Sequence, residues 1–323
     1  GMTYSRIVGT GRYLPERVMT NFDLEKIVDT TDEWIKTRTG VERRHVVEPD
    51  QTTSDMCVEA AKKAIEAAGV KVEDIDLVIT GTTTPDLIFP NISTIIQHRL
   101  GIPACTAFSL EAACTGFIYA LTTADKFIKT GDAKCALVMG AECITKLIDW
   151  SDRNTCVLFG DGAGAAIVVP SDEPGIISTA LGADGQYKEL LYYPVGQSSD
   201  LAKAGTHEAN IIMQGNEVFK VAVKTLGAIA QEALDKAGVT KEELDWLVPH
   251  QANIRIIQAM AKRLNMPTEK VILTVQDHGN TSAASVPMAL DVGIRDGRIK
   301  KGQLVLMEAF GGGFTWGSVL MRL

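Results

Sequence analysis

The chain repeats itself. Residues Ala64–Ile79 run as a helix-like apolar spacing, a glycine at Gly69, an acidic loop and a strand opened by Asp76. Residues Ala233–Val248 follow the same order without a gap, with Gly238 and Asp245 at the matching places. A second echo pairs Lys129–Met139 with Arg298–Met307 across a small indel, and a third pairs the glycine run Phe159–Gly164 with Phe310–Phe314. Generic helix–Gly–strand grammar explains one such match; three in one order point to a duplicated α/β unit. The 323 residues then divide into halves 1–172 and 173–323. No Gly/Ser-rich linker separates them, so they are expected to pack as one body. Strand-like and helix-like segments alternate throughout, which makes the class α/β with mostly buried sheets.

Composition narrows the setting. With 46% hydrophobic and 22% charged residues the chain has ample apolar mass for a large core. No run approaches the roughly 18 apolar residues of a membrane span, so no membrane partner is expected. The start lacks a charged-then-apolar leader pattern, and Gly1-Met2 reads as an expression remnant. A net charge of −8 argues against nucleic acid and leaves an acidic protein partner only a local basic patch to meet. Cys57, Cys105, Cys114, Cys135, Cys143 and Cys156 are scattered without metal-type spacing. Reduced thiols in a cytoplasmic protein, with no metal, are the expectation.

One cysteine stands apart. Cys114 sits in Ser109–Phe117, where a strand-like run gives way to a helix with apolar residues at Phe117, Leu121, Ala124, Phe127 and Ile128 and a stop at Gly131. A thiol at a helix start faces unpaired N–H groups and the positive end of the helix dipole, which favour thiolate, the nucleophilic form. The plainer role is a buried core cysteine. Carried across the repeat, Cys114 is expected to fall opposite Asn280 of Asp277–Pro287, each half placing one polar residue at the start of its central helix. Asn is also a common N-cap. His250 closes the strand Asp245–His250, and ligands of open α/β sheets collect beyond the carboxyl ends of strands. Cys114, His250 and Asn280 are therefore expected to converge. His278 ranks second as a base, though a turn role in Asp277–Asn280 suits it better. His45, His98 and His207 show no ligand spacing.

At these residues the chain resembles the β-ketoacyl-acyl-carrier-protein synthase III family, the condensing enzymes that initiate bacterial type II fatty acid synthesis. Ala112–Phe117, Val248–Asn253, Gly279–Pro287 and Phe310–Gly317 carry the likeness in register, joined by Asp152-Arg153 and Phe159–Ala166. The resemblance spans essentially the whole chain. It implies the thiolase fold, a duplicated five-layered αβαβα architecture, working as a homodimer. It makes Cys114 the acyl acceptor, with His250 and Asn280 polarising malonyl-acyl-carrier protein as it loses carbon dioxide. The backbone N–H groups of Cys114 and Gly313 would hold the tetrahedral oxyanion. No cofactor is tightly bound, and a CoA thioester enters as substrate.

The same resemblance assigns Trp34 and Arg153 to the CoA adenine, Arg38 to a CoA phosphate, and Gly215, Phe219, Ala252 and Asn253 to the pantetheine channel. Phe89 would reach across the dimer to close the partner's acyl pocket. Lys220 and Lys224 share one helix face, Arg255 and Lys262 another, with Arg263 beside them, and together they resemble the family's docking patch for acidic carrier protein. Two residues depart from expectation. Glu111 stands three positions before the nucleophile, where a facing negative charge would oppose thiolate formation unless it is turned away into a salt bridge. Glu308 precedes the glycine loop and invites a structural or gating role. Alternatives are a related thiolase-like condensing or acyl-transfer enzyme of polyketide or alkene biosynthesis, a cysteine hydrolase, or a non-catalytic lipid-binding module. A biosynthetic thiolase needs a second cysteine late in the chain, and none follows Cys156.

Overall fold

A computed structural model describes residues 3–323, so the reading of Gly1-Met2 lies outside the described residues. Apolar strands too hydrophobic to face water organise it. The first sheet contains β1 (Tyr4–Tyr13), β2 (Leu77–Gly81), β3 (Thr106–Leu110), β4 (Ala136–Glu142) and β5 (Gly162–Ser171), in the spatial order β1-β5-β4-β2-β3. The second contains β6 (Ile176–Ala183), β7 (Trp246–Pro249), β8 (Leu304–Gly311) and β9 (Thr315–Arg322), in the order β7-β8-β9-β6.

The pairing senses repeat as well. In the first sheet β4 runs parallel to β2, and β2 to β3, while β5 is antiparallel to both β4 and β1. In the second, β8 is parallel to β7, and β9 is antiparallel to both β8 and β6. The place of β3 is held there by a single parallel bridge, Leu247 to Val271.

The helices are α1 (Thr53–Ala68), α2 (Ile92–Leu100), α3 (Gly116–Lys129), α4 (Gly215–Ala237), α5 (Ile254–Arg263) and α6 (Ser285–Arg295). Helices α3 and α6 pack between the sheets, where Phe117, Leu121, Val286 and Leu290 meet Val138 and Val305. Helix α1 and α2 cover the outer face of the first sheet. Helices α4 and α5 cover that of the second. These are the five layers αβαβα. Among the described residues no helix is long and apolar enough to cross a membrane.

The repeated punctuation has a physical basis. Gly69 and Gly238 end α1 and α4 at φ +68° and +66°, the left-handed conformation that glycine adopts without steric penalty. Asp76 accepts the backbone N–H groups of Lys134 and Cys135, and Asp245 accepts that of Leu304. Each aspartate thus satisfies a donor where the neighbouring strand begins.

The structure corrects one correspondence. At the interval that separates Gly69 from Gly238, Cys114 meets Ala283 and not Asn280. The backbone agrees. Ala113 and Ser282 begin equivalent 3-10 turns, Ala113–Thr115 and Ser282–Ala284, at φ +49° and +51°. What the duplication preserves is this strained turn ahead of each central helix, not a polar side chain. The two turns abut in the middle of the molecule, where a Cβ added to Gly116 would lie 3.2 Å from the Ala283 Cβ.

Candidate active site

A cavity of about 530 Å³ opens where the carboxyl ends of β3 and β7 face the paired turns, and Cys114, His250, Asn280 and Gly313 all line it. Its size falls in the usual range for a small-molecule site. Ile144, Leu147, Leu158 and Ile211 form one apolar wall, and Val218, Ala222 and Leu226 of α4 extend another inward.

Cys114 belongs to the first turn and keeps some exposure to the cavity. Burial nevertheless pushes its thiol up to about 12, a hydrogen bond with the Ser282 side chain lowers it, and the charges of Glu142 and Glu111 raise it further. The helix start expected to favour thiolate is thus opposed here by enclosure first and by the charges of Glu142 and Glu111 after it. Glu111 does not turn away into a salt bridge. Its Oε2 accepts the Ala113 N–H at 2.5 Å, capping the strained turn while remaining on the cavity wall.

His250 follows directly on β7, and its N–H donates to the Glu308 carbonyl at 2.8 Å. Burial pushes its imidazole down to about 3, so the ring is neutral at physiological pH and offers one N–H donor. Asn280 is held by its main chain, N–H to Leu158 and C=O from Gly160, in a short parallel bridge with Phe159. Its Oδ1 accepts the Ser282 N–H at 2.9 Å, which leaves the Nδ2 donor for the cavity. A neutral imidazole N–H and an amide N–H facing one cavity can stabilise negative charge developing on a carbonyl oxygen.

The glycine loop approaches from β8. Gly313 lines the cavity at φ +144°, and a Cβ there would lie 3.0 Å from the Thr315 nitrogen. The close approach to the cysteine is made by Gly311, where a Cβ would sit 2.7 Å from the Cys114 nitrogen. Thr315 Oγ1 donates to the Ala112 carbonyl at 2.9 Å and ties the loop to the turn.

Sequence reasoning passed over Gly311, Ser282, Glu142 and Arg44. Ser282 lay inside the quoted run without a role. Glu142 had a usable signal, a carboxylate ending an otherwise apolar strand. Arg44 is fully buried behind the Asn280 loop and donates to the Val157 carbonyl at 2.7 Å, which nothing in its Arg-Arg-His context announces.

The outer residues are placed as follows. The guanidinium carbons of Arg38 and Arg153 lie 4.8 Å and 5.3 Å from the Trp34 ring centroid, cation–π geometry on an aromatic carried by the short helix Asp32–Thr39. Gly215, Ala252 and Asn253 line the cavity, with Asn253 also capping α5 through its Oδ1. Phe219 is packed against a core cluster that α4 shares with Leu24, Ile35 and Phe159, and its neighbour Val218 takes the place on the cavity wall.

Lys220, Lys224, Arg255, Lys262 and Arg263 are exposed on α4 and α5, and the Arg263 side chain lies over Gly227, joining the two helix surfaces. Phe89 is 81% exposed within the apolar run Leu87–Phe89. His278 is buried against His45 and Glu308 is buried on β8 within the second sheet; neither lines the cavity. His98 and His207 are exposed. Among the described residues no group of three or more His, Cys, Asp or Glu is placed to hold a metal.

Residues 108–185 match the family model described as 3-oxoacyl-[acyl-carrier-protein (ACP)] synthase III, and residues 234–323 match that of its C-terminal part. A Thioalkalivibrio sulfidiphilus protein named beta-ketoacyl-[acyl-carrier-protein] synthase III is 58% identical over 321 residues, covering 99% of this chain and 100% of that one. The crystal structure of 3-oxoacyl-[acyl-carrier-protein] synthase III from Aquifex aeolicus superposes with a TM-score of 0.93 at 49% identity, over 99% of this chain and 100% of the other. The priming β-ketosynthase of the R1128 polyketide pathway gives 0.95 at 40% identity, over 100% and 97%.

Proposed function

The chain belongs to the β-ketoacyl-[acyl-carrier-protein] synthase III family, and from that premise we propose that it condenses a short acyl-CoA primer with malonyl-acyl-carrier protein through an acyl-Cys114 intermediate, initiating type II fatty acid synthesis. The observation that carries this reading is that Cys114, His250 and Asn280 line one cavity. Sulfur attacks the primer thioester and CoA leaves. The malonyl group then loses carbon dioxide, and its thioester oxygen, turning enolate-like, takes hydrogen bonds from His250 and the Asn280 amide. One such preorganised donor is worth about 3 kcal/mol of barrier. The carbanion attacks the acyl-Cys carbonyl, whose oxygen rests on the N–H groups of Cys114 and Gly313. A 3-ketoacyl-carrier protein departs.

We assign CoA entry to the Trp34 region, the channel to Gly215, Ala252 and Asn253, and carrier-protein docking to the cations of α4 and α5. An adenine between Trp34 and Arg153 needs two stacking distances of about 3.5 Å each, so the guanidinium, at 5.3 Å now, must withdraw to admit it. The exposed run Leu87–Phe89 supports a homodimer in which this arm is covered. Six free cysteines support a cytoplasmic setting. We read residues 1–172 and 173–323 as the two repeat halves.

Incubation with acyl-CoA alone is the decisive experiment. A stable mass increase mapped to Cys114, absent in Cys114→Ala, is expected. Steady acid release without adduct points to a hydrolase, and an acylated Cys114→Ala protein removes the assignment. Likeness to a polyketide priming ketosynthase keeps that reading as the second; a preference for long or aromatic primers in the same assay selects it.

A further inference from the structure

The role given to Asn280 depends on where its amide points, and one buried side chain lies behind the segments that aim it. Arg44, on the short strand Arg43–His45, is the bulkiest of the fully buried side chains among the described residues. Burial pulls its guanidinium down to about 10, so it remains a cation at neutral pH. A buried charge is costly unless its donors are matched, and an apolar side chain of the same volume would fill the space without that cost. Both side-chain hydrogen bonds of Arg44 go to main-chain carbonyls rather than to a carboxylate. Nη2 donates to Val157 at 2.7 Å and Nη1 to Met19 at 3.2 Å, while Nε has no partner.

What Arg44 touches is the frame around Asn280. The Leu158 carbonyl, one residue after the gripped Val157, accepts the Asn280 N–H at 2.8 Å. The Gly160 N–H donates to the Asn280 carbonyl at 3.0 Å. The strand that carries Arg44 is bonded to both sides of this frame: the Glu42 N–H donates to the Gln276 carbonyl at 2.9 Å, and the Asp161 N–H donates to the His45 carbonyl at 2.8 Å. A Cβ added at Gly160 would lie 3.0 Å from the Arg44 Cβ, and one at Gly279 3.6 Å from it. The stem of Arg44 thus packs against both segments that meet at Asn280, and its fork holds one of them from behind.

We propose that Arg44 is a positioning residue for Asn280. By fixing the Val157 carbonyl it sets the path of residues 157–160, and that path sets the main chain from which the Asn280 amide reaches the cavity. Arg44 itself does not line the cavity. Without it the amide donor is present but misaimed, and a misplacement of about 1 Å is enough to cost a large part of a group's catalytic effect. The Cys114 turn is held by other bonds, from Glu111 to the Ala113 N–H and from Thr315 to the Ala112 carbonyl. Acylation of the cysteine is therefore expected to be independent of Arg44.

The proposal rests on the reading of Asn280 as the donor used during decarboxylation, and one experiment separates the two. Decarboxylation of malonyl-acyl-carrier protein and single-turnover acylation of Cys114 by acyl-CoA are measured for wild type, Arg44→Met, Asn280→Ala and the double variant. Arg44→Met is expected to lower kcat for decarboxylation about 10- to 100-fold, with KM and the acylation rate within about 2-fold of wild type. In the Asn280→Ala background the same change should have no further effect on decarboxylation, because the donor it aims is gone. Arg44→Lys keeps a cation but loses the planar fork, and is expected to fall between wild type and Arg44→Met. A purely structural role predicts equal losses in both half-reactions, or the same loss with and without Asn280. Either result overturns the proposal, as does wild-type decarboxylation by Arg44→Met, while the Asn280 reading stands. An Asn280→Ala protein that decarboxylates at the wild-type rate removes that reading and the proposal with it. Should Arg44→Met fail to fold, Arg44→Lys in the two backgrounds decides.

Discussion

Glu308 shows what one side chain can hold inside a sheet. It lies on β8 opposite Ser318 of β9, fully buried, and neither carboxyl oxygen nor the Ser318 hydroxyl finds a partner. Burial holds its pKa well above the ordinary 4.5, so the folded protein keeps a proton that the unfolded chain releases. Stability therefore falls as pH rises above about 4.5, each further unit below the folded pKa removing about 1.4 kcal/mol. Glu308→Gln is expected to unfold at higher urea than wild type at pH 7.5 and at the same urea at pH 4.0. Equal midpoints at both values would mean that the carboxyl has a partner in solution. His250 and His278 act with the opposite sign. Both are pushed down to about 3 by burial, so the unfolded chain binds protons first and stability falls on acidification below about 6.5.

At the level of elements, the repeat is maintained by a few side-chain-to-backbone bonds. Asp245 completes the start of β8 by accepting the Leu304 N–H at 2.8 Å, as Asp76 does for β4. Asp245→Ala leaves that donor unmatched and is expected to lose about 1–3 kcal/mol in a denaturant titration; Asp245→Asn, which can still accept, should lose less. An equal loss from both would place the effect in charge rather than in the bond. Gly69 and Gly238, the two aspartates and the helical spacing of Phe117 to Ile128 were all legible in the linear chain, because each acts on neighbours a few residues away. The interval between those glycines also sets Cys114 opposite Ala283, but the strained turn the two share was not legible. A turn is defined by its backbone angles, and Ala113 and Ser282 share theirs without sharing a residue type.

For the whole molecule, the most exposed apolar feature is the arm Leu87–Phe89. Phe89→Glu is expected to shift a homodimer toward monomer in sedimentation equilibrium, since a carboxylate cannot be buried unpaired in an apolar contact. An unchanged mass would assign the arm to solvent. The sequence by itself determined the α/β class, the duplication, the buried strands and the candidates Cys114, His250 and Asn280, since periodicity, caps and rare residue types are properties of short stretches. Tertiary structure decided the rest. It brought Glu142 and Ser282, 140 residues apart, to within a hydrogen bond, set Gly311 rather than Gly313 against Cys114, and enclosed the thiol so that burial raises its pKa. Those outcomes depend on distance and local dielectric, quantities that exist only once separate segments have packed together.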